Sequence, residues 1–302
     1  MKKVNSVIDK KVDKNSLKQA FIDACSNKEF GEYVKTLDLK DEILMEYTSS
    51  LEDACIEYNN CKNCKSLSAC KNAMTGYAYT PDIKKDRLVF SYVACKYLQK
   101  KMEKDKYKDN IELFESSKDL KEASFKEIYK DDAKRTPIIK YFKEFMTNYL
   151  KGEDAKGLYL HGSFGSGKTY LIASLFNELA KKGIRSVICY YPEVLRSLKA
   201  SFNSDFDDRF NTLKKVPLLL LDDIGAENCS NWSRDEILGP ILQYRMEEHL
   251  PTFFTSNLTL DELEKNLSIT SSGVDQVKAR RIIERIKQVS VVLDLISKNR
   301  RD

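Results

Sequence analysis

From residue 131 onward, the chain alternates short, continuous apolar runs with segments in which apolar residues have helical spacing. The helical spacing is clear at residues 137–145 and 170–180, where apolar side chains recur every three or four positions. Strands are predicted at five apolar runs: residues 157–161, 186–190, 216–221, 251–255 and 289–293. Because these runs lack the polar alternation of half-exposed strands, they indicate a parallel sheet buried on both faces. The sequence therefore predicts an α/β fold with a central parallel sheet.

The amino-terminal part of the chain has a different pattern. It is rich in Lys and Glu, largely helical in its spacing, and free of internal repeats. A strand is predicted at residues 87–95, and the charged stretch 97–109 is typical of a helix or a linker. We expect three parts, namely a small, mainly helical domain at 1–105, a charged linker at 106–130 and the α/β domain at 131–302.

Composition and charge exclude little. The chain has 302 residues, 42% of them hydrophobic and 32% charged, which is enough for real cores and fits about two domains. No apolar run is long enough to span a bilayer, and residues 1–10 lack the apolar segment of a secretory signal. We therefore expect a cytoplasmic protein with no membrane partner. A net charge of +5 permits contact with nucleic acid but does not by itself indicate it, because Lys and Glu are interspersed.

A glycine-rich segment between a predicted strand and a predicted helix matches the nucleotide-phosphate loop G-x-x-x-x-G-K-[ST] without substitution. It consists of Gly162, Ser163, Phe164, Gly165, Ser166, Gly167, Lys168 and Thr169. The glycines let backbone N–H groups face phosphate oxygens, Lys168 brings a positive charge to the β- and γ-phosphates, and the Thr169 hydroxyl can ligate Mg²⁺. The following helix adds the positive end of its dipole. The segment predicts a nucleotide site, for which we expect ATP and Mg²⁺.

Polar residues end two further predicted strands. Asp222 and Asp223 follow the apolar run 218–221, which is the Walker B pattern. Asp222 is expected to hold Mg²⁺ through its ligand shell, and Asp223 to orient or deprotonate the attacking water. Asn257 follows the run 251–255 and can hydrogen-bond the lytic water or the γ-phosphate, although Asn is also a common cap at a strand-to-turn boundary. Together these residues predict an ATPase.

Arginines near the carboxyl end are further candidates. Arg281 and Arg285 lie four residues apart in a basic helix over 278–286, so they share one face. That face is either solvated or carries an arginine finger, which stabilises transition-state charge at the nucleotide of a neighbouring subunit. A finger of this kind requires ATPase subunits to meet, so we expect self-association with it. Arg300 is a candidate for a second sensor of the γ-phosphate.

Six of the eight cysteines lie in the first hundred residues. Cys61 and Cys64 form a C-x₂-C pair that Cys70 follows, and clustered thiols in a reducing compartment indicate zinc more often than a disulfide. Cys95 is expected as a fourth ligand, with Cys55 as the alternative, because both histidines belong to the α/β domain. Such a Zn²⁺ would be structural, since an all-thiolate shell leaves no position for water. The alternative is a set of reduced structural thiols.

Four linked segments carry a resemblance to a known family. They are Leu-Asp-Asp-Ile-Gly-Ala-Glu at 221–227, Trp-Ser-Arg-Asp-Glu at 232–236, Tyr-Arg-Met at 244–246 and Pro-Thr-Phe-Phe-Thr-Ser-Asn at 251–257. These segments resemble the AAA+ primosomal helicase loaders of the DnaI/DnaC type. The resemblance extends to the cysteine-bearing amino-terminal domain and so covers most of the chain. It implies an AAA+ P-loop ATPase domain preceded by a zinc-bearing domain that binds a helicase.

The function that the resemblance implies is ATP-dependent binding of the hexameric replicative DNA helicase and its placement on single-stranded DNA at origins or restart sites. In the family's pattern, Walker A, Walker B and sensor 1 fall on Lys168, Thr169, Asp222, Asp223 and Asn257. The arginine finger falls on Arg285, with Arg281 as the competing candidate, and Arg300 falls near sensor 2.

Two other functions fit parts of the sequence. A related AAA+ ATPase that regulates a DNA transposase would share the ATPase core, but we would not expect it to carry the cysteine-bearing domain. A zinc-dependent adaptor would bind ATP and turn it over very little. The intact Lys168, Asp222 and Asp223 argue against a dead site but do not set a rate.

Overall fold

The computed structural model describes residues 14–84, 87–128, 133–200 and 205–299. Its contacts divide the chain into two compact units, Met1–Asp105 and Lys106–Asp302.

The first unit combines helices with a β-hairpin. Its helices are α1 (Lys14–Cys25), α2 (Lys28–Lys35), α3 (Asp41–Leu44), α4 (Thr48–Lys62) and α5, which spans Lys96–Asp105. The hairpin pairs β1 (Tyr77–Lys84) with β2 (Arg87–Ala94) in antiparallel register. The core of the unit includes Phe21, Phe30, Leu44, Leu51 and Leu88. The predicted strand at 87–95 is thus confirmed as β2, whereas its partner β1 was not predicted.

In the described part of the second unit, six strands form one parallel sheet. The strands that come first along the chain are β3 (Ile111–Phe114), β4 (Gly157–Gly162), β5 (Ser186–Tyr190), β6 (Leu218–Asp222) and β7 (Thr252–Ser256). A separate antiparallel pair, β8 (Ile269–Thr270) and β9 (Gly273–Val274), precedes β10 (Ser290–Leu295), which joins the sheet. The order across the sheet is β10-β4-β7-β6-β5-β3. Each of the five predicted apolar runs overlaps a strand of this sheet, within one or two residues of its observed start, which confirms the predicted parallel fold.

Helices cover both faces of this sheet. They are α6 (Thr136–Leu150), α7 (Lys168–Ala180), α8 (Tyr191–Ala200), α9 (Phe206–Lys215), α10 (Gly239–Glu247), α11 (Leu260–Ser268) and α12 (Gln276–Val289). A π-helical segment, Trp232–Leu238, leads directly into α10. On one face, α6 and α7 bury side chains such as Phe142 and Phe176. On the other face, the helices from α8 onward bury side chains such as Leu198, Ile241 and Ile282. The two cores explain why the strands are apolar throughout.

The prediction of a charged linker at 106–130 is wrong for the residues of this range that the structure describes. Ile111–Phe114 is β3, an edge strand of the sheet that pairs in parallel with β5, and Ile111 is buried. Short 3₁₀ turns flank it at Lys106–Asn110 and Lys118–Glu122. Because the flanking turns are rich in charged residues, the short strand between them is not recognisable in the sequence. The second unit begins at Lys106 and not at residue 131.

A buried arginine fixes the amino-terminal ends of two central strands. Arg245, on α10, has no exposed surface, and its guanidinium donates to main-chain carbonyls that precede β6 and β7. The shortest of these bonds reach Val216 O at 2.7 Å and Pro251 O at 2.8 Å. Its Nε also donates to the Thr252 hydroxyl at 2.8 Å. Arg245 therefore ties the starts of β6 and β7 together, and their opposite ends carry candidate site residues.

Replacing Arg245 should destabilise the second unit. In Arg245→Met the buried carbonyl groups lose their donor, so we expect the free energy of unfolding to fall by about 3 kcal/mol in urea denaturation. The matched control is Arg196→Met, because Arg196 is exposed and pairs with Glu193 on its own helix, so a loss of about 0.5 kcal/mol or less is expected. An R245M variant as stable as R196M would show that the carbonyl contacts contribute little.

Candidate nucleotide-binding site

Three neighbouring strands of the sheet end next to one another. In the sheet β7 lies between β4 and β6, and all three run in parallel, so their carboxyl ends meet at one edge. The phosphate loop follows β4, Asp222 ends β6, and Asn257 directly follows β7. Gly162 makes the exit from β4 possible: its φ is +139°, and a Cβ there would lie 2.3 Å from the carbonyl oxygen of Leu295. The edge is the crevice where open α/β sheets bind ligands.

The phosphate loop is closed by its own hydrogen bonds. Gly167 has φ +86° and is the residue at which the loop turns into α7. Lys168, the first residue of α7, is buried, and its ammonium donates to the carbonyls of Gly162 at 3.0 Å and Ser163 at 2.9 Å. The Ser166 hydroxyl donates to Ser163 O at 2.8 Å. The strand, loop and helix that the motif requires are therefore all present.

Asn257 joins the phosphate loop to the acidic pair. Its side-chain oxygen accepts a hydrogen bond from Lys168 Nζ at 2.9 Å, and its amide donates to Asp223 Oδ1 at 3.0 Å. Asp223 itself has φ +59°, a left-handed conformation that is uncommon for a residue with a side chain. Backbone strain of this kind is concentrated at functional sites. The three residues that the sequence singled out separately are thus in direct contact.

Asp222 accepts hydrogen bonds from two threonine hydroxyls. Thr169 Oγ1 donates to Asp222 Oδ1 at 2.5 Å, and Thr255 Oγ1 donates to the same oxygen at 2.6 Å. Burial raises the pKa of the Asp222 carboxyl, and the two hydroxyl donors oppose that shift. The adjacent oxygens of Thr169 and Asp222 are the hard donors that Mg²⁺ prefers, so these residues fit the predicted magnesium site.

Two residues of the site were not predicted from the sequence. Thr255 donates to Asp222 and also accepts a hydrogen bond from the Asp223 N–H at 2.9 Å, so it orients both acids. The signal in the sequence that could have indicated Thr255 is its position near the end of a predicted strand, two residues before Asn257. Arg135 is buried and donates to Ser166 O at 2.7 Å. Nothing in the local sequence around Arg135 indicates this contact, which comes from the packing of α6.

A cleft of about 840 Å³ opens over these groups. Besides the phosphate loop, Asp222, Asp223 and Asn257, it is lined by Tyr190 at the end of β5 and by Arg135. Phe164 projects from the loop with 73% of its surface exposed. The cleft is large enough for a nucleotide, and cations and carboxylates both line it.

The candidate arginines lie elsewhere. Arg281 is exposed on α12, and Arg285 is half-buried and donates to Gly239 O at 3.1 Å. Both line a groove on α12 and not the cleft described above. Arg300 lies outside the described residues.

The four cysteines predicted as zinc ligands do not form a metal site in this structure. Within residues 14–84, 87–128, 133–200 and 205–299, no three His, Cys, Asp or Glu side chains converge so that they could hold a metal ion. Each sulfur in the C-x₂-C region has a different neighbour: Cys61 accepts from Asn72, Cys64 donates to Ser66 O and Cys70 accepts from the Gly76 N–H. The structure therefore does not show the predicted zinc site, which stays a prediction.

The arrangement defines a class of protein. A strand, a phosphate loop and a helix are combined with a strand that ends in two aspartates and a neighbouring strand that is followed by Asn, all in one parallel sheet. These parts define an ATP-binding domain of the P-loop AAA+ type. Separately, no helix in the described ranges has the length and apolar character needed to cross a bilayer.

Comparison with known proteins places the chain in a family. A family model described as "IstB-like ATP binding protein" matches residues 86–300. The replicative helicase loader DnaI of Bacillus subtilis (strain 168) is 36% identical over 244 residues, which cover 80% of this chain and 78% of that protein. The replicative helicase loader DnaC of Escherichia coli (strain K12) is 30% identical over 109 residues, or 35% of this chain and 44% of that protein.

Solved structures agree with these matches. A crystal structure of DnaI has a TM-score of 0.58 and 42% identity, and the match covers 65% of this chain and 100% of that one. A crystal structure of the DnaC helicase loader has a TM-score of 0.50 and 25% identity, and the match covers 59% and 99%. The chain belongs to the IstB-like ATP-binding family, with helicase loaders of the DnaI/DnaC type among its relatives.

Removing the buried charge of Asp222 should stabilise the folded protein in the absence of nucleotide. The pKa of the Asp222 carboxyl is raised in the folded state above the ordinary value of 3.8. At a pH between 3.8 and this raised pKa, the carboxyl binds more protons in the folded chain than in the unfolded chain, so the free energy of unfolding falls as the pH rises. Asp222→Asn removes that loss, yet its side-chain oxygen still accepts from Thr169 and Thr255. At pH 7 without nucleotide we expect D222N to unfold at a higher temperature than wild type.

The difference in unfolding temperature should shrink as the pH falls through the raised folded-state pKa, and it should vanish only below 3.8, where the wild-type carboxyl becomes protonated in both states. Asp109→Asn, at an exposed position of the same unit, is the control and should change little. A D222N variant that unfolds at or below the wild-type temperature at pH 7 would contradict the assignment of a destabilising buried charge.

Proposed function

We propose that this protein is an ATP-dependent loader that binds the hexameric replicative DNA helicase and delivers it onto single-stranded DNA during initiation or restart of replication. The observation that carries the proposal is the extent of the similarity to the DnaI helicase loader. Its 244 matched residues are more than residues 106–302 can supply, so the match includes part of the first unit. The likeness is therefore not confined to the ATPase domain, which many unrelated functions share.

The site residues suit hydrolysis of ATP. Phosphoryl transfer depends mainly on positioning and charge neutralisation, which a lysine, a metal ion and one well-placed carboxylate supply. We assign Lys168 to the β- and γ-phosphates and Asp223 to the attacking water, with Asn257 holding the Asp223 carboxylate in place. Thr169 and Asp222 would hold Mg²⁺, which supplies positive charge to the phosphates when it is bound.

Lys168→Ala should separate nucleotide use from helicase binding. The variant loses the charge that faces the phosphates, so we expect ATP turnover in the presence of helicase and single-stranded DNA to fall at least about 100-fold. Complex formation between the variant and the replicative helicase is measured by light scattering with and without ATP. We expect K168A to keep the binding that the wild type shows in the absence of ATP. The control Lys140→Ala removes an exposed lysine of α6 and should leave turnover unchanged. Equal turnover by K168A and wild type would refute the assigned site.

The arginines of α12 are proposed to complete the site of a neighbouring subunit. Both lie outside the cleft of their own chain, as a finger acting in trans requires. The family pattern favours Arg285, whose guanidinium also contacts Gly239 O, while Arg281 is the more exposed competitor. Self-association, alone or on the helicase, is part of this proposal.

Mixing two inactive variants tests action in trans. K168A has a defective site but an intact finger, and Arg285→Ala has an intact site without the finger, so we expect a mixture to regain turnover that neither variant has alone. Removing the finger should lower turnover on the order of 10³-fold. The same mixture with Arg281→Ala identifies the competing residue. Failure of both mixtures to regain activity, with all variants folded, would argue against a finger in trans.

The loader and the transposase regulator differ in the protein partner that each would bind. The family match at residues 86–300 falls mostly within the second unit, so it is also compatible with regulation of a DNA transposase by a related ATPase. Binding to the replicative helicase, and not to a transposase, distinguishes the loader. An adaptor with little turnover is distinguished by the K168A comparison. Zinc is not part of the proposed function: it stays a prediction from cysteine spacing and family resemblance, and metal analysis of the purified chain measures it.

A further inference from the structure

Arg135 occupies an unusual position for a charged residue. It ends a short 3₁₀ turn, Ala133–Arg135, immediately before α6, and only 3% of its surface is exposed. α6 is anchored in the core of the second unit through Ile138 and Phe142, which are also buried. The start of this helix is therefore held firmly, and so is the arginine that precedes it.

The guanidinium of Arg135 lies against the phosphate loop. Its Nη2 donates to the carbonyl oxygen of Ser166 at 2.7 Å. The same nitrogen lies 3.5 Å from the point that a Cβ on Gly167 would occupy. Arg135 thus contacts the peptide group between Ser166 and Gly167, and it also lines the cleft. Hydrogen bonds from arginine to a carbonyl are charge-assisted and stronger than neutral ones.

This contact fixes the direction of one peptide group. In a trans peptide the C=O and the following N–H point in opposite directions, so holding Ser166 O on Arg135 directs the Gly167 N–H away from the guanidinium. Gly167 has φ +86° and is the last residue before α7, where backbone N–H groups bind phosphate. A glycine at this point has the freedom to rotate its peptide group, and an external contact removes that freedom.

We propose that Arg135 is a positioning residue of the nucleotide site, which holds the phosphate loop in the conformation that binds the polyphosphate of a nucleotide. The guanidinium keeps the peptide after Ser166 oriented, and its positive charge adds to that of Lys168 beside the anion. The inference rests on the proposed function to the extent that the cleft must bind ATP. It assigns a role to a residue outside the loop, the acidic pair and the sensor.

A purely structural role is the competing explanation. If Arg135 only secured the start of α6, its loss would lower the unfolding temperature and leave the nucleotide affinity of the folded protein unchanged. If it positions the loop, affinity falls even where the protein stays folded. The two roles are therefore separated by measuring the affinity for ATP and ADP alongside the unfolding temperature without nucleotide.

The experiment uses the full chain and titration calorimetry with ATP and ADP in the presence of Mg²⁺. We expect Arg135→Gln to weaken binding of both nucleotides about tenfold or more, since their phosphates share the loop. Arg135→Lys keeps the charge but not the planar fork, so its affinity should lie between those of R135Q and wild type. Arg185→Gln removes an exposed arginine of the same unit and should bind as wild type does.

Two results would overturn the proposal. One is a folded R135Q whose affinity lies within about twofold of wild type. The other applies if R135Q does not fold: a folded R135K with unchanged affinity, because an ammonium does not reproduce the guanidinium geometry. K168A separates this failure from that of the proposed function. If K168A loses nucleotide binding while R135Q keeps it, only the role of Arg135 is wrong, and if K168A binds normally, the assigned nucleotide site itself is wrong.

Discussion

The site depends on one side-chain amide. Lys168 can only donate hydrogen bonds and an ionised Asp223 can only accept them, so a group that joins the two must do both. Asn257 does so: its oxygen accepts from the ammonium at 2.9 Å and its nitrogen donates to the carboxylate at 3.0 Å. Neither Asp nor Leu at this position, although similar in size, makes both bonds. The amide thereby fixes the distance between the phosphate loop and the acidic pair.

That amide works only because the strands beneath it are aligned. β7 lies between β4 and β6, and its register pairs Phe254 with both Tyr159 and Leu221. A slip of one residue would turn each side chain to the opposite face of the sheet and separate Asn257 from both partners. Arg245 opposes such a slip at the other end of the strands, where it binds the carbonyl groups before β6 and β7. The contacts of Arg245 at the amino-terminal ends of these strands thus help to maintain the geometry of the site at their carboxyl ends.

The parts that could be predicted from the sequence are those in which local pattern and environment agree. Central strands are buried on both faces, so they are continuously apolar and easily recognised. β3 was missed because it is short, lies at the sheet edge and contains Glu112 between apolar residues. β1 was missed because Pro81 and Asp82 are typical of a loop, although the hairpin accommodates both. Thr255 and Arg135 were not predicted because their roles follow from contacts between segments distant in the chain.

The hydrogen bonds of Lys168 limit how the site can respond to a ligand. An ammonium group has three N–H donors, and here they reach the carbonyls of Gly162 and Ser163 and the amide oxygen of Asn257. A phosphate oxygen that binds Lys168 must therefore displace or share at least one of these acceptors. The two carbonyls belong to the backbone of the loop, whereas the Asn257 side chain can rotate about its own bonds. A phosphate oxygen that displaced the Asn257 side chain would therefore also move the amide group that donates to Asp223, the carboxylate that we assign to the attacking water.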